Sequence, residues 1–347
     1  NRENLEKKIL SPIIITAKNQ EEKIILRDHP DWFIFEKITG FRNITQGFET
    51  EESVEISLNE EKIKEFIREK FGKKFEYAAS AVKIYEDDDG KIIFEGKGQP
   101  GSEIEYTEVI KLLEVAVNKK IKEISLPMRE IPNEITISEN LQKRGIKELI
   151  GTGYTTYYGS PENRMHNIVI GMTRFNGVTI KPGETFSFNK QLGQVDSGAG
   201  YRQELVIKPE GTIPEYGGGI CQVSTTMYRA ALNTGLKIDQ RKSHSYAVSY
   251  YSQVGGHGID ATIYLGAVDL KFTNDTQNEI LIQSYVEGAE AFIKMYGTQD
   301  GRKVRLEGPI ISNHRSAGET QYINTTKIPI GSKKQADLSK LKVSDVM

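Results

Sequence analysis

The lone cysteine of this 347-residue chain, Cys221, stands in the stretch Gly217-Gly218-Gly219-Ile220-Cys221-Gln222-Val223-Ser224-Thr225-Thr226-Met227-Tyr228-Arg229-Ala230-Ala231-Leu232. Val223, Met227, Ala230 and Ala231 recur at helical spacing, which predicts a helix with one apolar face and a stop at Gly235. Cys221 then sits within one turn of a helix N-terminus, where unpaired backbone N–H groups and the positive end of the dipole favour thiolate over thiol. The glycines allow a substrate to approach the backbone closely. Gly218 and Gly219, with the N–H groups of Cys221 and Gln222, are candidate oxyanion-hole elements. Ser224, Thr225 and Thr226 make a poor helix start, because their hydroxyls compete for backbone hydrogen bonds. Such a local violation beside a lone cysteine suggests a functional site, with Ser224 among its lining residues. The plainer reading treats the cysteine as a small buried hydrophobe.

A thiol nucleophile needs a base, and the base needs a group to orient it. There are five histidines. His29 precedes Pro30 in a weakly patterned region, His314 lies in a polar tail, and His166 belongs to Arg164-Met165-His166-Asn167 near the start of a domain. The candidate bases are His244, just before the apolar run Tyr246–Tyr251, and His257, in Gly255-Gly256-His257-Gly258. His244 ranks ahead of His257, and geometry decides between them. Asp260 is the candidate acid. No HExxH or CxxC is present, so neither a metal site nor a cofactor is expected. The cluster Asp87-Asp88-Asp89-Gly90 fails as a calcium loop, because Gly96 falls at the twelfth position, where a bidentate Glu is required.

The elements around these residues read as an α+β protein: a small N-terminal α+β module, then a strand-rich α+β domain with a central Cys-bearing helix. Residues 1–50 read as the remnant of a preceding region. From 51 to 130 the pattern is strand, helix, hairpin, helix, strand, with Asn59 placed to cap the first helix. Residues 131–151 read as a connection. Residues 152–300 carry the cysteine helix and the strand candidates Asp260–Tyr264, Leu270–Phe272, Ile280–Ile282 and Ala291–Met295, and 301–347 form a polar tail. With 46 basic and 48 acidic residues, nucleic acid is not an expected partner. No apolar run is long enough to span a bilayer. Any membrane attachment is expected to come from an anchor or signal outside this sequence, which starts at Asn1 without Met. One cysteine cannot form an internal disulfide, which suits a cytosolic protein or a secreted bacterial one that keeps its thiol for chemistry.

At these residues the domain resembles the VanW domain. The resemblance runs through Arg164-xx-Asn167-Ile168, Asn176-Gly177, Pro182 to Asn189, Gly200-Tyr201, Gly217 to Leu232, His244-Ser245, Asp260-Ala261-Thr262 and Asp269-Leu270-Lys271-Phe272-x-Asn274. The module at 51–130 resembles the peptidoglycan-binding domain that precedes VanW domains and some L,D-transpeptidases. The resemblance implies a cell-envelope protein at the extracellular face of a bacterium, acting on peptidoglycan tetrapeptide stems as donor and acceptor. It implies an L,D-transpeptidase in which Cys221 forms a thioester with release of D-Ala, and an amine of a second stem resolves it into a 3→3 cross-link. His244 matches the family's His-Ser pair with Ser245, Asp260 is either the orienter of the base or the cap of a strand turn, and Gln222 and Arg164 either bind stem carboxylates or serve a structural salt bridge. His257-Gly258 departs from the Gly-Arg or Gly-Leu expected before Asp-Ala-Thr, which leaves open whether His257 replaces, assists or merely neighbours the base. The rival readings are an L,D-carboxypeptidase or cysteine endopeptidase using water, and a non-catalytic wall-binding protein linked to glycopeptide resistance.

Overall fold

A computed structural model describes residues 12–17, 20–44, 47–119, 121–208, 211–244, 251, 256 and 258–307. The chain divides into two units, Asn1–Val82 with Glu95–Thr136 and Lys83–Phe94 with Ile137–Met347. Both helices and strands build each, an α+β fold.

In the first unit, strand β1 (Pro12–Ala17) alternates, burying Ile13, Ile15 and Ala17 as a period of two requires. It pairs antiparallel with β2 (Gln20–Ile25). Strands β3 (Phe33–Ile44) and β4 (Gly47–Leu58) form a long antiparallel hairpin. Helix α1 (Glu60–Ile67) starts at Asn59, whose side chain accepts the Lys62 amide at 3.3 Å, the cap its residue type predicts. The next hairpin, β5 (Val82–Glu86) and β6 (Ile92–Gly96), falls mostly in the second unit. After β7 (Gly101–Ile104), helix α2 (Tyr106–Lys119) packs Val109, Ile110 and Leu113 into a core with Trp32, Ile63, Ile67 and Phe71. Strand β8 (Glu123–Ser125) lies parallel to β1, and β9 (Met128–Ile131) pairs with β7.

Residues 131–151, expected as a connection, are built into the structure. They carry β10 (Ile135–Ile137), α3 (Glu139–Lys143) and the start of β11 (Glu148–Thr156). Ile137, Leu141 and Ile146 are buried there. These apolar residues are single and separated by charges, too sparse to show a period.

The second unit is organised on a four-stranded antiparallel sheet in the order β11, β19 (Glu290–Gly297), β18 (Ile280–Glu287), β12 (Thr179–Ile180). Helix α4 (Glu162–Thr173) and the central helix α6 (Ile220–Thr234) share its core, in which Ile168, Met172, Val223, Met227, Ala230, Ile282, Ile293 and Met295 are all buried. Helix α6 lies hard against β11. A Cβ on Gly153 would come within 2.0 Å of the Thr226 carbonyl, so only glycine permits this backbone approach. A small sheet orders β13 (Thr185–Ser187), β17 (Lys271–Thr273) and β16 (Lys237–Gln240), with the short helix α5 (Phe188–Leu192) following β13. The hairpin β14 (Gln203–Lys208) and β15 (Gly211–Tyr216) runs directly into α6.

One strand expectation is corrected. Asp260–Tyr264 joins no sheet beyond an isolated bridge from Tyr264 to Val268. Its β-branched pattern reads as a strand, but side chains of α6 and the Lys242 carbonyl take its backbone groups instead. The run Tyr246–Tyr251 lies outside the described residues except for Tyr251.

Candidate active site

Helix α6 begins as the sequence predicts, at a glycine turn. Gly217 (φ 82°) and the N-cap Gly219 (φ 111°) occupy left-handed backbone that other residues rarely adopt. Cys221 is the second helical residue. The Ile220 amide donates to the Gly217 carbonyl at 3.0 Å and the Gln222 amide to the Gly219 carbonyl at 2.9 Å. The Cys221 amide has no acceptor among the described residues. Of the two N–H groups offered by the sequence for an oxyanion, that of Cys221 is open and that of Gln222 is spent. The thiol is partly exposed, with Sγ 3.6 Å from Thr262 Oγ1 and 3.7 Å from the Ile263 carbonyl.

His244 follows β16 and is brought to Cys221 by Asp260. One carboxylate oxygen, Asp260 Oδ2, takes both the His244 amide at 2.8 Å and the ring Nδ1 at 2.5 Å. With Nδ1 committed to Asp260, Nε2 is the ring nitrogen left to interact with Cys221. Arg241 supports the acid: its Nε donates to the Asp260 carbonyl at 2.7 Å, Nη2 lies 3.5 Å from Oδ1, and Nη2 also bonds the Gly258 carbonyl.

Burial pushes the Asp260 carboxyl up, but the His244 hydrogen bond and charge and the Arg241 charge outweigh it and hold the group below its usual value. Burial also works against charge at His244 and Cys221, and is again overcome. The bonds to Asp260 and Cys221 lift the imidazole to about 9. The His244 bond and charge, with the Ile263 and Thr262 contacts, hold the thiol below its ordinary 9.0. Both shifts run toward the charged forms, thiolate and imidazolium.

The remaining sequence candidates fall into place around this line. Gln222 is fully buried; its Oε1 accepts from Arg164 Nη2 at 2.9 Å and its Nε2 donates to the Thr156 carbonyl at 3.0 Å. Arg164 also donates from Nη1 to Ser160 Oγ at 2.8 Å. The pair forms a bracket beside the nucleophile, and full burial keeps Gln222 from a substrate carboxylate. Ser224 is fully buried too, and its hydroxyl donates to the Ala261 carbonyl at 2.6 Å, which places it behind the site as a tether. Thr225 completes that tether by accepting the Ala261 amide at 3.1 Å. Two of the hydroxyls that made a poor helix start, those of Ser224 and Thr225, thus hold the Asp260 segment, while that of Thr226 meets Thr155 Oγ1 at 2.7 Å. Gly218 is buried, with its carbonyl bound by Asn167 Nδ2 at 3.0 Å. Ser245 and His257 lie outside the described residues.

Several residues were missed. Arg241 sits in Gln240-Arg241-Lys242, which reads as a solvated surface. Buried Arg229 bonds the carbonyls of Ile259 (2.9 Å), Tyr154 (3.0 Å) and Tyr251 (2.6 Å), tying three segments together. Asn167, fully buried on α4, donates to the carbonyls of Arg202 (2.9 Å) and Gly218 and accepts the Arg202 amide at 2.8 Å. Its position on an apolar helix face was the available signal. The Tyr251 ring packs 4.9 Å from that of His244.

A thiol, an imidazole and a carboxylate brought together on an α+β frame have the arrangement that a nucleophilic cysteine of the triad type requires. Residues 163–296 match the family described as VanW like protein, and they hold Cys221, His244 and Asp260. Residues 163–296 thus carry a VanW-like domain. It is similar to the uncharacterized protein YoaR of Bacillus subtilis (strain 168), 36% identical over 146 residues, covering 42% of this chain and 47% of YoaR. It is also similar to the vancomycin B-type resistance protein VanW of Enterococcus faecalis (strain ATCC 700802 / V583), 36% identical over 128 residues, covering 36% of this chain and 45% of that protein. The matches span about half the length of these curated relatives. No solved structure matches the chain.

Proposed function

We propose that this protein is a cysteine-dependent L,D-transpeptidase of peptidoglycan. The observation that carries the reading is the grouping of Cys221, His244 and Asp260, with Asp260 on the His244 ring and the thiol at a helix start. The relationship to a vancomycin-resistance protein fits a substrate in the cell wall. The Cys221 thiolate attacks the carbonyl carbon that joins the third residue of a donor stem to D-Ala. The tetrahedral oxyanion collapses, the C–N bond breaks, and His244 gives its proton to the departing D-Ala amine. A thioester remains on Cys221. The side-chain amine of a second stem then attacks the thioester and loses a proton to His244, so that an amide forms and the Cys221 thiolate returns. Asp260 keeps Nδ1 protonated and the ring aimed at sulfur throughout. No described helix is long and apolar enough to cross a membrane, and in this reading the site works at the extracellular face of the cell. The first unit serves in this reading as the wall-binding module.

Mass spectrometry of disaccharide-tetrapeptide muropeptides incubated with the protein tests this. The expected product is a dimer lacking one D-Ala and linked 3→3, lost in Cys221→Ala and reduced about 100-fold or more in His244→Ala. Monomeric tripeptide alone would replace the proposal with an L,D-carboxypeptidase. Cleavage elsewhere in the stem would make the protein an endopeptidase, and no product from folded wild type would leave a binding protein.

A further inference from the structure

We propose that Thr262 is a catalytic residue whose hydroxyl donates a hydrogen bond to the Cys221 thiolate, in the resting nucleophile and again when that sulfur leaves the thioester. The second half of this role rests on the acyl-transfer reading of Cys221, and the first half does not.

Three observations place the hydroxyl. Thr262 Oγ1 lies 3.6 Å from Cys221 Sγ, within hydrogen-bond reach of sulfur. The backbone beneath it is fixed from two sides: the Thr262 amide donates to the Lys242 carbonyl at 2.8 Å, and the preceding Ala261 is tied to α6 through Ser224 and Thr225. The same short segment carries Asp260, whose carboxylate holds the His244 ring. A single segment, fastened to the helix of the nucleophile, therefore brings Asp260 to the imidazole and Thr262 to the sulfur.

The direction of the bond follows from what each group can give. Ionised sulfur has only lone pairs to offer. The Ile263 carbonyl, 3.7 Å from Sγ, has no hydrogen, whereas a threonine hydroxyl has one. The hydroxyl is thus the donor that this segment directs at the thiolate, and a bond to an ionised partner is stronger than one between neutral groups. The same bond serves the second step. When the acceptor amine attacks the thioester, the N–C bond forms, the C–S bond breaks, its electron pair returns to sulfur and the amine proton passes to His244. The threonine proton stays on its oxygen and meets the charge that reappears on Sγ.

Alkylation by iodoacetamide, followed over pH, reads the thiolate without requiring any acyl transfer. Thr262→Val keeps the shape and removes the hydroxyl, and Thr262→Ser keeps the hydroxyl. The expected result for Thr262→Val is an alkylation midpoint about 1 pH unit higher, so that alkylation below the wild-type midpoint slows about 10-fold while the high-pH plateau is not reduced. Thr262→Ser should stay close to wild type. The titratable and charged groups about the sulfur are His244, with Asp260 and Arg241 beyond it, Tyr251, and Arg164 beside Gln222. All of them remain in every variant, so a shift reports the hydroxyl. Thr262→Ala replaces Thr262→Val should the latter not fold. An unmoved midpoint would overturn the proposal, as would a serine variant that shifts as far as the valine one. Intact-protein mass spectrometry with tetrapeptide muropeptides should also show acyl-Cys221 decaying about 10-fold more slowly in Thr262→Val. A shifted midpoint in a protein that never forms a thioester would sink the acyl-transfer reading while the bond to the resting thiolate stood.

Discussion

In the first unit the buried side chains are aliphatic and aromatic, from Ile13 and Trp32 to Phe71 and Leu113. In the second, apolar packing of the same kind surrounds Asn167, Gln222, Ser224, Thr225, Thr226, Arg229 and Asp260, all buried. Among the described residues, every buried polar or charged side chain belongs to the second unit. Burying such groups is costly unless each is hydrogen-bonded, so a fold accumulates them only where they fix a geometry that apolar contacts leave loose. Asp269 and Asn274 brace turns: Asp269 caps α5 through the Asn189 amide at 2.9 Å, and Asn274 Nδ2 bonds the carbonyls of Ile180 and Asn278. Thr234 and Gln283 bond within the core, to the Ala230 carbonyl and from the Tyr296 hydroxyl. Asn167, Gln222, Ser224, Thr225, Arg229 and Asp260 gather about the start of α6 and the Asp260 segment. The difference teaches that the second unit concentrates much of its polar burial around Cys221 and His244.

The sharpest way to break this comparison is to remove the acid while keeping its shape. Asp260→Asn should lower turnover about 1,000- to 10,000-fold, because the amide no longer fixes the His244 tautomer. Its stability has a pH signature. His244 is raised from 6.5 to about 9, so the stabilisation from its pairing is fully present below pH 6.5 and lost as pH rises through about 9. Asp260 is lowered from 3.8, so its share is present above that value and lost as pH falls through the depressed one. Denaturant titrations should show the gap between wild type and Asp260→Asn widest from pH 4 to 6.5, narrowing toward pH 9.

The next largest effects contrast the units directly. Phe71→Ala empties a fully buried site in the first core and should cost about 3–5 kcal/mol by chemical denaturation, with the iodoacetamide rate of Cys221 unchanged. Asn167→Ala strands the carbonyls of Arg202 and Gly218 and should cost on the order of 3 kcal/mol, with alkylation near neutral pH slowed as the glycine turn loosens. If both substitutions slow the thiol equally, polar burial is not a device of the site. The smallest effect belongs to the exposed pair Arg129–Glu103, where Glu103→Gln should change stability by less than about 1 kcal/mol.

Local rules made much of this legible. The α6 face, the Asn59 cap, the turn at Pro182-Gly183-Glu184 and the strands around 280–297 follow from period, capping and turn chemistry, which act within a few residues. The pairing of Cys221 with His244 and Asp260 was readable as residue types in order, since a thiol at a helix start has few candidate partners in the chain. What stayed hidden has a common cause. Arg241, Arg229, Asn167 and Tyr251 act through backbone carbonyls and amides of segments distant in sequence, and such acceptors carry no residue identity that a pattern can detect. The segment Asp260–Tyr264 reads as a strand because side-chain pattern reports a pleated preference, while helix hydroxyls captured its backbone.

By itself, then, the sequence determined the α+β elements, the helix start at Cys221 and the set from which its partners are drawn, because these depend on local backbone preference and residue chemistry. Only the tertiary structure decided that Asp260 takes His244 Nδ1, that Gln222 and Ser224 are fully buried, and that Tyr251 lies beside the imidazole. Those outcomes depend on which donor reaches which carbonyl across tens of residues, and hydrogen-bond geometry at that range is fixed only when the core has packed.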